Sequence, residues 1–124
     1  MMKDILLVFL GGGLGSVGRY GISLLLKPFA ASCHGLPIHT LAANLIGSLA
    51  IGLLIGCLGK HPDQALSLLL VTGFCGGFTT FSTFSSENVA LLRDGQPLMA
   101  LTYMAITIIV CLAATALGAT ITSR

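Results

Sequence analysis

The chain has 124 residues, of which only ten are Lys, Arg, Asp or Glu, and its mean hydropathy is +0.99. Eight per cent charge, against roughly a quarter in soluble domains, cannot coat a water-facing surface, and the high apolar content excludes disorder. What is left is an integral membrane protein, whose net charge of +2 is too small to suggest a nucleic-acid partner.

Four apolar segments follow one another with short connections, each near the length of about 20 residues that crosses a bilayer as a helix. The first, about 5–26, is interrupted only by Arg19 and contains Gly11, Gly12, Gly13, Gly15, Gly18 and Gly21. Small residues at a spacing such as Gly11-x-x-x-Gly15 let helices approach closely in lipid. No small-residue cleavage site follows, so this span is expected to be retained. A loop from Lys27 to Leu36 leads to the second span, 37–58, opened by Pro37. Gly59 to Asp63 form a polar turn. The third span, 64–92, is irregular: of the eight residues from Thr79 to Ser86, six carry hydroxyls and two are Phe. Paired glycines and a hydroxyl run predict a helix broken near its middle, tolerated at membrane depth only inside protein or beside a wet cavity. Arg93 to Gln96 turn the chain into the fourth span, 97–121. The sequence thus predicts an all-α membrane protein, one four-helix domain over residues 1–124.

Two stripes recur every four residues, Asn44, Ser48, Gly52 and Gly56 on the second span and Tyr103, Thr107, Cys111, Thr115 and Ala119 on the fourth. Small-residue packing, with hydroxyls bonded to their own preceding turn, accounts for Gly52 and Gly56. For Tyr103 and Thr107 a polar pathway is an equal alternative. Asn44 is different, because a buried amide needs partners for both its donors and its acceptor.

Orientation is weakly specified. The side holding both termini carries Lys3, Lys60 and Arg124, and the other carries Lys27 and Arg93, or those two with Arg19. Loop Lys/Arg bias sets topology, and here there is almost none, so opposed insertion of two identical copies is allowed. Ionisable groups within the spans are few: Arg19, and Glu87 near a mouth. No ring of carboxylates for a cation path, no acid at mid-membrane for proton coupling, and no nucleotide, metal or nucleophile–base motif occurs. The four cysteines form no Cys-x-x-Cys pair and are expected to pack as apolar side chains. The chain is not expected to be an enzyme. A broken helix offers N–H groups to an anion and carbonyls to a cation. Thr79, Thr80, Ser82, Thr83 and Ser85 add hydroxyl donors. Phe81 and Phe84, three apart, are either a packing pair or two electropositive ring edges.

Three blocks decide between these options by resemblance. They are Gly11-Gly12-Gly13-Leu14-Gly15-Ser16-Val17-Gly18-Arg19-Tyr20, Thr40-Leu41-Ala42-Ala43-Asn44-Leu45-Ile46-Gly47-Ser48, and Gly73-Phe74-Cys75-Gly76-Gly77-Phe78-Thr79-Thr80-Phe81-Ser82-Thr83-Phe84. In this order the chain resembles the Fluc (CrcB) family of fluoride channels from end to end. The resemblance implies a passive fluoride-selective channel that exports fluoride across a bacterial plasma (inner) membrane and protects against its toxicity. It implies an antiparallel, dual-topology homodimer with two pores. Asn44 is then a fluoride-binding amide, and Phe81 and Phe84 are the paired rings. Ser82 and Thr83 are ion contacts in the break, with Tyr103 and Thr107 on a polar track. Cys111 lies on that track where a hydroxyl would be more natural. The backbone carbonyls of Gly76 and Thr79 correspond to ligands of a structural sodium ion at the dimer centre. Arg19 and Thr40 line vestibules, and Glu87 is a polar partner near the end of span 3. A small dual-topology multidrug transporter is the alternative, but it would want a carboxylate in the first span and a cage of aromatic residues. Here the first span has only Asp4, and the chain has no Trp.

Overall fold

A computed structural model describes residues 1–124. It is entirely helical, with four helical stretches of 32, 23, 30 and 27 residues long and apolar enough to cross a membrane. Helix α1 (Met2–Leu26) stops where Pro28 enters. Proline cannot supply the N–H of an α-turn, and the chain tightens into 3-10 turns over Lys27–Cys33 where a loop was expected. His34 and Gly35, both at positive φ, end this extension. Helix α2 (Ile38–Lys60) follows Pro37, and Asp63 caps the next helix by accepting from the Leu66 N–H at 3.0 Å.

The third span is two helices. The first, α3 (residues 64–78), includes a π-helical stretch at Ser67–Cys75 that hydrophobic patterning did not reveal. The second, α4 (Phe81–Arg93), begins after an extended pair, Thr79 at φ −80°, ψ 158° and Thr80 at φ −152°, ψ 118°. Gly76 and Gly77 remain helical, so the break falls on the hydroxyl residues just beyond them. Gly95, at φ 72°, closes α4, and Gln96 N–H returns to the Leu91 carbonyl. Pro97 then occupies the first turn of α5 (Pro97–Ser123).

Packing proceeds by two close helix pairs. Helix α1 lies against α3, and α2 lies against α5, with α4 resting on α5 through Phe84, Leu91, Ala100 and Tyr103. Backbone-to-backbone approach is what the glycines provide. A Cβ on Gly11 would meet the Leu69 carbonyl and fall 2.9 Å from the Phe74 nitrogen, and one on Gly15 would meet the Phe74 carbonyl. These α3 contacts fall at Leu69, Gly73, Phe74 and Phe78, one face of that helix. On the other pair, a Cβ on Gly118 would stand 2.7 Å from the Leu49 carbonyl oxygen.

Gly15→Ala should therefore destabilise the folded protein in detergent by about 1–3 kcal/mol, the usual cost of overpacking. Gly13 has nothing within 4 Å of a Cβ, and Gly13→Ala should be neutral within about 0.5 kcal/mol. Thermal unfolding midpoints of the two variants test the difference.

Candidate functional site

The break generates the site. Interrupting a helix strands N–H and C=O groups that lipid cannot satisfy, and three neighbouring residues take them up. Asn44 on α2 holds both ends of Thr80: its Oδ1 accepts from the Thr80 N–H at 2.8 Å and its Nδ2 donates to the Thr80 carbonyl at 3.2 Å. Thr80 caps α4, its hydroxyl oxygen accepting from the Thr83 N–H at 3.3 Å. Arg19 reaches from α1, its Nε donating to the Gly77 carbonyl at 3.2 Å.

These bonds leave particular carbonyls free of the helical ladder. In an uninterrupted helix the Thr80 N–H would close on Gly76 and the Thr83 N–H on Thr79. Both donors are diverted, one to Asn44 and one to the Thr80 hydroxyl. The Gly76 and Thr79 carbonyls thus fit a hard monovalent cation, which takes oxygen ligands. Gly76 is also exposed on the single chain.

Beside the break runs a groove of about 450 Å³, open along one side and walled by α2, the break and α5. Its lining includes Asn44, Ser48, Thr79, Thr80, Phe81, Phe84, Thr107, Cys111 and Thr115, with Ile51, Ile108 and Leu112 as apolar wall. None of its lining residues carries a formal charge. The Phe81 and Phe84 rings lie 5.8 Å apart at 42°. Phe84 is buried, whereas Phe81 is 79% exposed at the open side. Thr107 is the unusual hydroxyl. Thr102 and Thr122 give theirs to carbonyls one turn back, and Thr115 gives its hydroxyl to the Ser48 carbonyl across the helix pair at 3.0 Å. The Thr107 Oγ1 is buried and has no partner.

A second cavity, about 170 Å³, lies on the other side of the Thr80 region among Arg19, Tyr20, Ser23, His39, Thr40 and Thr83. Next to it, Glu87 is bonded on both oxygens. Oε1 accepts from the Thr40 hydroxyl at 2.6 Å and lies 3.2 Å from His39 Nε2, while Oε2 accepts from the Tyr103 hydroxyl at 2.8 Å.

The family model described as "CrcB-like protein, Camphor Resistance (CrcB)" matches residues 6–119. The chain belongs to the CrcB family. Among curated relatives, a protein of Serratia proteamaculans is 49% identical over 84% of this chain and 81% of its own length. One of Gloeothece citriformis is 44% identical over 99% of both, and one of Flavobacterium psychrophilum is 42% identical over 94% of both. Each is named "Fluoride-specific ion channel FluC". This is a family of channels rather than enzymes, and the CrcB chain, with four spanning helices and bacterial relatives, is an integral inner-membrane protein.

In this CrcB chain the residues singled out from sequence divide between the two cavities. Asn44, Phe81, Phe84, Thr79 and Thr107 meet at the groove, and Arg19, Thr40 and Thr83 at the smaller cavity. Ser82 is exposed, its hydroxyl 3.4 Å from that of Thr80. Tyr103 is fully buried against Phe84, ring centroids 5.2 Å apart, and faces Glu87 rather than the groove. Sequence reasoning passed over His39, Tyr20 and Ser23. Ser23 lies one turn from Arg19, which was the available signal; Tyr20 had only its place next to Arg19, and His39 only its place beside Thr40.

Asn44→Ala would strip the Thr80 N–H and carbonyl of their shared side-chain partner. Hydrogen exchange at the Thr80 amide should then accelerate by about tenfold or more, the effect of losing a buried bond. Mass spectrometry of the 79–84 region checks this.

Proposed function

We propose that this chain is a passive, fluoride-selective channel made by two antiparallel copies, each pair containing two pores. The observation that carries the reading is the groove itself, with its partnerless Thr107 hydroxyl in an uncharged lining of amide, hydroxyl and ring. Fluoride is small and strongly hydrated, so a path must replace its water with several close donors. Neutral donors do so without trapping the ion as a fixed cation would. Relatives named as fluoride-specific ion channels support this chemistry.

In this reading Asn44 uses the Nδ2 hydrogen not committed to Thr80, and Thr107 donates its free hydroxyl. Ser82 and Thr83 contact the ion near the break, and Tyr103 continues the polar track through Glu87. Phe81 and Phe84 turn ring edges to the ion, in pairs contributed by opposite copies. The exposed Phe81 and the open side of the groove support a second copy as the missing wall. Three Lys/Arg against two at the two membrane faces support opposed insertion. A structural sodium ion at the copy–copy centre would be held by the freed carbonyls of Gly76 and Thr79, and would supply fixed positive charge there. Arg19 and Thr40 form the vestibule, with Glu87 bracing it. Fluoride that has entered a cell as its neutral acid then leaves down its electrochemical gradient, which protects against its toxicity. A multidrug transporter has less support: Asp4 lies in the first turn of α1, not at membrane depth, and both Glu87 oxygens are already bonded.

Liposomes loaded with fluoride and chloride test the reading with ion-selective electrodes. Fluoride should leave and chloride should stay; equal chloride efflux overturns it. Phe84→Ile keeps bulk but removes a ring edge, and should slow fluoride efflux by about threefold or more. Thr107→Val removes the free hydroxyl, and a loss of roughly three- to tenfold is expected from one hydrogen bond.

A further inference from the structure

The smaller cavity, read above as a vestibule, holds one titratable side chain that the channel reading does not use, His39. Arg19 comes from α1, His39 and Thr40 from the first turn of α2, and Thr83 from α4, with Glu87 directly behind. His39 Nε2 and Glu87 Oε1 are 3.2 Å apart. That is within charge range of the carboxylate, and a second ring proton adds a full positive charge beside it.

The charged and titratable groups facing His39 are few. Arg19 and Tyr20 approach from α1, Glu87 from α4, and Tyr103 from α5 through its bond to Glu87. Arg19 and Glu87 cancel. With a neutral imidazole the cavity has no net charge, and with an imidazolium it has one positive charge. The side chain of His39 is 38% exposed on the single chain and stands in the first turn of α2, at a helix end. Histidine is also the side chain that ordinarily changes charge between about pH 5 and 8.

We propose that His39 is a proton-responsive control on anion entry: its imidazolium makes this mouth positive and raises fluoride flux, and its deprotonation lowers it. The proposal rests on the channel reading and adds a regulator to it. The sign follows from the local sum, because a positive mouth concentrates anions before they reach the uncharged groove. One added charge acting through partly aqueous surroundings corresponds to an increase of about two- to tenfold. The response shrinks as salt screens the mouth. An antiparallel pair presents such a mouth on each face, so both faces respond.

Fluoride efflux from proteoliposomes, with the same pH inside and out, tests this between about pH 5.5 and 8.5, after subtracting the leak of neutral acid through protein-free vesicles. Flux should rise by about two- to tenfold toward the acid end, less so at high salt. H39Q and H39N should give flat profiles near the rate of the parent at alkaline pH. Because both variants retain Glu87, a response that survives in them assigns the titration elsewhere and overturns the proposal. A flat profile in the parent protein overturns it without reference to any variant. Fluoride flux that is present but independent of pH leaves the channel reading standing and removes this one; absence of fluoride flux at every pH overturns both.

Discussion

One amide side chain makes the interrupted third span possible. Breaking a helix in lipid exposes polar backbone that costs several kcal/mol per unsatisfied group. Asn44 meets that cost at Thr80 by bonding its N–H and its carbonyl together. The Thr80 hydroxyl then takes the Thr83 N–H, and Arg19 takes the Gly77 carbonyl. The break is a bonded joint. Its geometry has a second consequence, since the same two diversions release the carbonyls of Gly76 and Thr79. One amide thus lines the groove while the carbonyls of Gly76 and Thr79 leave the helical ladder. The two proposed ion sites are linked through the Thr80 peptide, so a disturbance at Asn44 reaches both.

Close helix approach sets where these groups stand. Arg19 reaches Gly77 only because α1 lies on α3 at backbone contact, through Gly11, Gly15, Gly73 and Gly77. On the other side, Gly52 and Gly118 bring α2 and α5 together, and the Thr115 hydroxyl ties them at Ser48. From that tie the groove runs along the pair to Asn44 and Thr107. The glycines therefore do more than permit association. Their placement decides where the bundle is shut and where it opens.

Much of this was legible in the residues, for reasons that are local. Hydropathy and charge-free runs locate four spans, because bilayer thickness imposes one length on every helix. Paired glycines and six hydroxyls in eight residues foretell the interruption, and the Asn44 and Thr107 stripes foretell the groove walls. What stayed hidden depends on packing at a distance. The π turns of Ser67–Cys75, which lie against the glycine face of α1, follow from no period within their own segment. The 3-10 turns after Leu26 replace an expected loop because Pro28 and its neighbours still find i+3 partners. Tyr103 carries the spacing of a groove residue, yet it turns its hydroxyl to Glu87, from a different helix. Spacing places a residue on a face; only its partners reveal which way the side chain is committed.

The few charges in the chain are divided by depth in a way that suits an anion path. The groove has none, so an ion on the proposed path would meet only dipoles, which hold it weakly enough to release it. Charge is confined to the smaller cavity and the helix ends, where water can screen it. Glu87 is the apparent contradiction, a carboxylate beside a proposed anion route. Its two oxygens are occupied by Thr40, His39 and Tyr103, and Arg19 lines the adjoining cavity. The carboxylate is therefore spent on joining α2, α4 and α5, and its field is offset locally. One turn earlier on α4, Phe84 lines the groove instead. An acid at that position would put a negative charge into the proposed path of neutral dipoles, and it would repel an anion there.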